Sequence, residues 1–311
     1  MLAREACVVA LIGCLAACAP ALAPQGLENA TPLLETDAFL TRDGQHLPLR
    51  HWDAARPRAI IVALHGMSDY SNAFAMPGPW WAERGITTIA YDQHGFGQSP
   101  NPGIWPGSDA LRQDLDDVAE AAHAKYPGLP VYVLGESMGG SVALSALATD
   151  RPPHVDGVIL VAPAVWSRND MPASYRAALW LTAHTLPDIK LSGRGLNIWA
   201  SDNIPMLRAL AHDPLFHHET RADAVWGLAN LMDEARRAPD HLMAHPPPIL
   251  ILYGAKDQII PAQSTEAVIA ALGPRATAKK YEYGYHMLLR DLSGPQVWAD
   301  IAAWVEKGGR P

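Results

Sequence analysis

The sequence predicts one α/β body, a mostly parallel central sheet flanked by helices, carrying an inserted helical cap. Three observations lead there. Apolar strand runs and helical patterns alternate from Ala59 to Val161, and a strand lying parallel to its predecessor needs a crossover, which a helix supplies. A G-x-S-x-G pentapeptide, Gly135-Glu136-Ser137-Met138-Gly139, stands directly behind the apolar run Val131-Tyr132-Val133-Leu134, so that a strand turns abruptly into a helix opened by Gly140, Ser141 and Ala143. The interval from Ala164 to Pro248 then shows helical periodicity and no strand pattern before the buried run Ile249 to Tyr253.

In chain order, Phe39 to Trp52 reads as a β-hairpin around the Asp43-Gly44 turn. Ala59 to Leu64 is a buried strand ending in the small-residue turn His65-Gly66-Met67. Pro79 to Arg84 is a short helix stopped by Gly85, and Ile86 to Tyr91 is the next strand. Asp109 to Tyr126 places Leu111, Leu115, Val118 and Ala122 on one helical face, and Pro127-Gly128 ends it. Val158 to Val161 is another buried strand, and the last helix begins near Pro295. Within the cap, helices are expected over Tyr175–Thr185, Pro205–His212 and Arg221–Ala238. Its apolar groups, among them Met171, Trp180, Leu181, Leu186, Ile198, Trp199, Leu207, Trp226, Leu231 and Met232, are expected to fill mostly the cap's own core, with some lining a cleft. The resulting divisions are a leader 1–18, a linker 19–36, the body 37–163 and 248–311, and the cap 164–247.

A formal charge of −8 over 311 residues, with no Lys/Arg run, excludes nucleic acid as a partner. All three cysteines, Cys7, Cys14 and Cys18, fall in the first eighteen residues, so neither thiol chemistry nor a cysteine-based metal site is available to the body. The apolar stretch Ala6 to Ala19 behind Arg4 has the proportions of a secretory leader and is short for a membrane span. Leu15-Ala16-Ala17-Cys18 resembles the bacterial lipobox, in which cleavage leaves a lipid-modified cysteine at the new N-terminus. That predicts a lipid anchor on Cys18 and a place at a membrane surface of the bacterial cell envelope, periplasmic or on the outer membrane. Cleavage at Ala21-Leu22-Ala23 with simple secretion is the alternative, and an uncleaved N-terminus is a third.

A serine on such an elbow is a weak nucleophile until an imidazole takes its proton, and the imidazole needs a carboxylate to orient it. In this architecture the chain order is serine, acid, histidine. Asp257 follows the strand and turn Leu252-Tyr253-Gly254-Ala255-Lys256, and His286 is the only one of thirteen histidines beyond it. Ser137, Asp257 and His286 are thus the expected triad. Asp233 and Asp240 are competing acids, both within the cap. An oxyanion needs two backbone N–H donors, expected from Met138, next after the nucleophile, and from Met67, behind the strand that ends at Leu64.

Other signals weaken. His65 reads as a brace for the Met67 loop. Gly95-Phe96-Gly97 lacks the third glycine and acidic partner of a dinucleotide site, and His217-His218-Glu219 lacks a metal-binding spacing and reads as a solvated loop. No cofactor or metal is expected.

As a set, His65-Gly66-Met67, Tyr91-Asp92-Gln93-His94-Gly95-Phe96-Gly97-Gln98-Ser99, Tyr126-Pro127-Gly128-Leu129-Pro130, Gly135-Glu136-Ser137-Met138-Gly139-Gly140 and Tyr285-His286-Met287-Leu288 resemble the monoacylglycerol lipase/lysophospholipase group of α/β-hydrolases. The resemblance spans about Thr36 to Lys307. It implies an α/β-hydrolase fold and a carboxylic-ester hydrolase with Ser137, Asp257 and His286 as triad, Met67 and Met138 as oxyanion donors, and no metal. The cap would then bind a single acyl chain, and the substrate would be a lipid ester such as monoacylglycerol or lysophospholipid. Glu136 departs from the histidine that many members carry. Acyl transfer to an alcohol, a small-ester esterase, and a lipid carrier without catalysis stay open beside hydrolysis.

Overall fold

The computed structural model describes residues 19–310. The predicted leader and Cys18 lie outside the described residues. In chain order the strands are β1 (Leu33–Leu34), β2 (Ala38–Leu40), β3 (His46–Trp52), β4 (Ala59–Leu64), β5 (Ile86–Tyr91), β6 (Val131–Glu136), β7 (Gly157–Val161), β8 (Lys190–Leu191), β9 (Thr220–Arg221), β10 (Ile249–Gly254) and β11 (Ala276–Tyr281). The α-helices are α1 (Pro77–Ala82), α2 (Ser108–Lys125), α3 (Met138–Ala146), α4 (Ala173–Thr185), α5 (Ile204–Leu210), α6 (Ala222–Arg237), α7 (Ala262–Leu272) and α8 (Gly294–Glu306).

A nine-stranded sheet runs β1-β2-β3-β5-β4-β6-β7-β10-β11. From β5 through β11 every pair is parallel, while β1, β2 and β3 form an antiparallel edge. Strands β4, β5, β6, β7 and β10 are buried at every position, because helices cover both sheet faces. Alternation along each strand divides the core in two. Ile60, Val62, Val133, Leu160 and Ile251 face α2 and α3, whereas Ile61, Ala63, Leu134, Ile159 and Leu252 face α1 and α8. A one-residue slip of register would exchange these sets, so the pairing is strongly specified.

The order of β4, β6, β7 and β10 brings the ends of four parallel strands side by side. The loops behind them carry Met67, Ser137, the entrance to the cap and Asp257. Ligands of open α/β sheets sit at such carboxyl ends.

The structure differs from expectation in the cap and the N-terminal segment. Lys190–Leu191 and Thr220–Arg221 pair as an antiparallel ribbon where no strand was expected, since two residues carry no readable periodicity. Leu231 and Met232 are buried as expected, but Trp180, Leu181, Leu186, Ile198 and Trp199 are exposed and not part of the cap's core. The predicted linker lies along the body. Ala23 is buried and donates to Trp105 O at 2.8 Å, Ala21 N donates to Asp223 Oδ2 at 3.3 Å, and Gly26 N donates to Asp43 Oδ2 at 3.0 Å. Its apolar residues and free backbone groups found partners that composition could not announce. No helix among the described residues is long and apolar enough to cross a membrane.

Candidate active site

Ser137 sits between the last residue of β6 and the first of α3 with φ 53° and ψ −113°, a sparsely populated conformation. The surroundings over-determine it. Its N–H donates to Val161 O at 2.9 Å, and its carbonyl accepts from Ala164 N at 2.9 Å and Ser141 N at 3.2 Å. Gly139 is required because a Cβ there would lie 2.2 Å from Leu64 O, so any side chain would push the helix off the neighbouring strand.

The structure brings Ser137, His286 and Asp257 into one hydrogen-bonded line. His286 Nε2 lies 2.9 Å from Ser137 Oγ, and His286 Nδ1 lies 2.8 Å from Asp257 Oδ2. A carboxylate can only accept, so Nδ1 carries the proton and Nε2 is left to accept from the serine hydroxyl. The other oxygen of Asp257 accepts from Ile259 N at 2.8 Å and Ile260 N at 3.0 Å, which fixes the carboxylate's orientation. The acid and histidine loops touch through glycines, since a Cβ on Gly254 would meet Gly284 O at 2.2 Å. Asp233 and Asp240 are elsewhere in the cap, and Asp233 holds Ser167 Oγ and the Arg168 backbone N–H, each at 2.8 Å.

Met138 opens α3, where the first N–H groups have no intrahelical acceptor and the helix dipole favours negative charge. On the loop behind β4, Gly66 lies against the elbow, a Cβ there standing 3.2 Å from Ser137 Cβ, and Met67 follows it with its own N–H free of any backbone acceptor among the described residues. His65 braces that loop. Gln93 N donates to its Nε2 at 3.0 Å, its Nδ1 donates to Gly66 O at 2.9 Å, and Gln93 Nε2 donates to His65 O at 2.9 Å. Complete burial lowers its pKa, in keeping with a neutral structural imidazole.

A cavity of about 710 Å³ opens beside Met67, lined also by Phe96, Lys190, Arg194, His217 and Thr220. Of the expected site residues only Met67 lines it. His217, expected in a solvated loop, is half-buried: its N–H donates to Ser68 O at 2.8 Å and its ring stacks on Phe96 with centroids 6.0 Å apart. A second cavity, also about 710 Å³, lies between the N-terminal segment and α6 and contains none of the expected site residues.

Two arrangements were missed by sequence reasoning. Beneath the serine, Arg290 Nη2 lies 2.7 Å from Asp69 and 3.3 Å from Glu136, all three buried. Above it, the cap segment 199–203 is bonded to both loops of the triad. Trp199 N donates to Gln258 Oε1 (2.9 Å), Met287 N to Ala200 O (2.8 Å), Ser201 Oγ to Asp291 Oδ1 (2.6 Å), and Asn203 Nδ2 to Arg290 O (2.9 Å). None of these pairings is close in sequence, so no local pattern marks them.

A serine on a strand-to-helix elbow, met by an aspartate and a histidine from later loops of a mostly parallel sheet, defines the α/β-hydrolase class. Residues 55–293 match the family model described as "Serine aminopeptidase, S33". The chain is 27% identical to the monoglyceride lipase of Rattus norvegicus over 92% of its own length and 95% of the relative's. It is 24% identical to the monoacylglycerol lipase of Mycolicibacterium smegmatis, covering 80% and 88%. Among solved structures, a soluble variant of monoglyceride lipase from Saccharomyces cerevisiae, in complex with a substrate analog, superposes with TM-score 0.74 at 18% identity, covering 94% of this chain and all of that one. The chain belongs to the S33 serine hydrolase family, as an α/β-hydrolase of the monoacylglycerol lipase group, and is an enzyme of the serine ester hydrolase kind.

Proposed function

We propose that the enzyme hydrolyses lipid esters with a single acyl chain, with Ser137, His286 and Asp257 as the reacting set. The observation that carries this is the line of hydrogen bonds from Ser137 Oγ through His286 to Asp257, at 2.9 and 2.8 Å. His286 Nε2 takes the proton as Ser137 Oγ attacks the ester carbonyl, and the negative charge developing on the carbonyl oxygen is met by the N–H groups of Met67 and Met138. The imidazolium then protonates the departing alcohol, leaving an acyl-serine. Water, deprotonated by the same imidazole, attacks that ester and releases the fatty acid and the free serine. Asp257 stays ionised throughout and stabilises the imidazolium.

The cavity beside Met67 is of a size to hold an acyl chain or a glyceryl headgroup. Lys190 and Arg194 on its rim favour an anionic, phosphate-bearing headgroup, while the relatives' names favour neutral glycerides. Hydrolysis of p-nitrophenyl esters from acetyl to palmitoyl is the test, with a medium- or long-chain optimum expected. A strict preference for acetyl would overturn the lipid assignment. Monoacylglycerol and lysophospholipid of the best chain length then separate the headgroups, and replacing Lys190 and Arg194 with Gln should raise KM for the lysophospholipid alone.

The exposed cap residues Trp180, Leu181, Leu186, Ile198 and Trp199 form the natural contact with a lipid surface. A lipid on Cys18 would reinforce it, because Ala21 bonds to Asp223 beside the start of α6, and Asp223 N donates to Pro187 O next to Leu186. In envelope fractionation the intact protein is expected with membranes. Cys18→Ser should release it to the soluble fraction, and retention of that variant would refute the anchor.

A further inference from the structure

We propose that Arg290 is a positioning residue: one buried guanidinium sets the spacing between the oxyanion loop, the serine elbow and the histidine loop. Its partners belong to the three segments that carry the reaction. Asp69 stands two residues beyond Met67, Glu136 immediately precedes Ser137, and Arg290 itself follows His286 by one helical turn's worth of chain. The same nitrogen, Nη2, lies 2.7 Å from Asp69 Oδ2 as an ion pair and donates to Glu136 Oε2 at 3.3 Å, so one charge is shared between two loops. Among the described residues, Arg290 with Asp69 is the one polar contact joining the oxyanion loop to the histidine loop.

The surroundings make the contact strong and demanding. Arg290 is 6% exposed, Asp69 3% and Glu136 2%, so water does not screen the charges. Burial opposes the charge on Arg290, but Asp69 and Glu136 outweigh it and hold the guanidinium ionised. Burial also pushes the Glu136 carboxyl up, with Arg290 opposing it and Asp69 adding to it. Arg290 Nε, Asp69 Oδ2, Glu136 Oε1 and Gln93 Oε1 have no hydrogen-bond partner among the described residues, so Asp69 Oδ2 is held by charge alone. Such a group is costly to bury for stability alone, and a hydrophobic replacement of similar shape would often do as well. What the charge supplies is a fixed distance between the donor at Met67 and the nucleophile. A misplacement of about 1 Å at that distance is worth on the order of 100-fold in rate.

The inference rests on Ser137, His286 and Asp257 as the reacting set. The test is steady-state kinetics on the preferred p-nitrophenyl ester, with sites counted by fluorophosphonate labelling so that kcat refers to folded, competent enzyme. Arg290→Met is expected to lower kcat by about 10- to 100-fold with KM nearly unchanged, because Arg290 lines neither of the two cavities described above. Arg290→Lys, which keeps a cation with several donors, should recover most of that loss. Arg290→Met alone leaves two carboxylates uncompensated and can unfold, so the triple variant Asp69→Asn/Glu136→Gln/Arg290→Met, with no buried charge, decides the matter. It should melt no lower than the parent and still show the low kcat. A triple variant with parental kcat per site, or a loss that appears in KM alone, would overturn the proposal. Ser137→Ala run alongside separates the two readings. If it stays active the reacting set is wrong, and if it is dead while the Arg290 variants keep full kcat, only the positioning role falls.

Discussion

Ser137→Ala is expected to lower kcat by about 10⁵- to 10⁶-fold and to abolish fluorophosphonate labelling, with little change in melting temperature. The residual rate over water would come from the N–H groups of Met67 and Met138 and from substrate binding, which the substitution leaves in place. The fold should tolerate it because the strain at φ 53° belongs to the backbone. Alanine has the same Cβ as serine, and the hydrogen bonds at Val161, Ala164 and Ser141 are all made by main-chain atoms. Turnover by the alanine variant at a tenth or more of the parental rate would remove Ser137 from the mechanism.

The largest stability effect is expected at His94, whose ion-pair partners are Asp114 and Asp43 and not the reacting residues. Its Nδ1 lies 2.6 Å from Asp114 Oδ2, with both side chains 6% exposed, and its Nε2 is 4.0 Å from Asp43. Burial works against charging His94, but the hydrogen bond and charge of Asp114, helped by Asp43, prevail and raise its pKa above the ordinary value. His94→Ala would leave the Asp114 carboxylate on α2 buried without its counter-ion, at a cost of about 3–5 kcal/mol. At ~2–4 °C per kcal/mol that lowers the melting temperature by on the order of 10 °C. The raised value also fixes the sign with pH. The stabilisation is complete below the unfolded value of about 6.5 and is lost as pH rises through the higher folded one. Melting curves from about pH 5 to about pH 9 should therefore show the parent losing stability on the alkaline side, and the His94→Ala protein should lack that component. A double variant, His94→Leu with Asp114→Leu, should recover most of the loss, which a specific structural role for either residue would forbid.

What the sequence made legible follows from which interactions leave a local trace. Strands β4, β5, β6, β7 and β10 are buried on both faces and so are largely apolar, and they stand out as runs such as Ala59-Ile60-Ile61-Val62-Ala63-Leu64. The elbow was legible because close approach demands glycine at fixed offsets around Ser137. Asp257 and His286 were found through chain order and confinement, not through any pattern of their own. Arg290 was not legible: its partners are 154 and 221 positions away, and in sequence a charge beside a loop looks like a charge on a surface. The β8–β9 ribbon, the packing of His217 on Phe96 and the seating of residues 19–26 failed for the same reason. The exposed side chains of Trp180 and Leu181 show the reverse case, where helical periodicity announced a core that the cap does not build around them.

The bonds from residues 199–203 to the loops of Asp257 and His286 redraw the border between module and scaffold. By chain position these five residues belong to the insertion, yet by bonding they belong to the catalytic body. An exchange of caps between related hydrolases should therefore be cut on either side of this segment, with Trp199 to Asn203 retained from the recipient. A graft that replaced them would carry a foreign support for the histidine loop along with its new pocket. Diversity in substrate choice can accumulate freely from about Met171 to Ile198, while the stretch that follows is held to the pace of the active site.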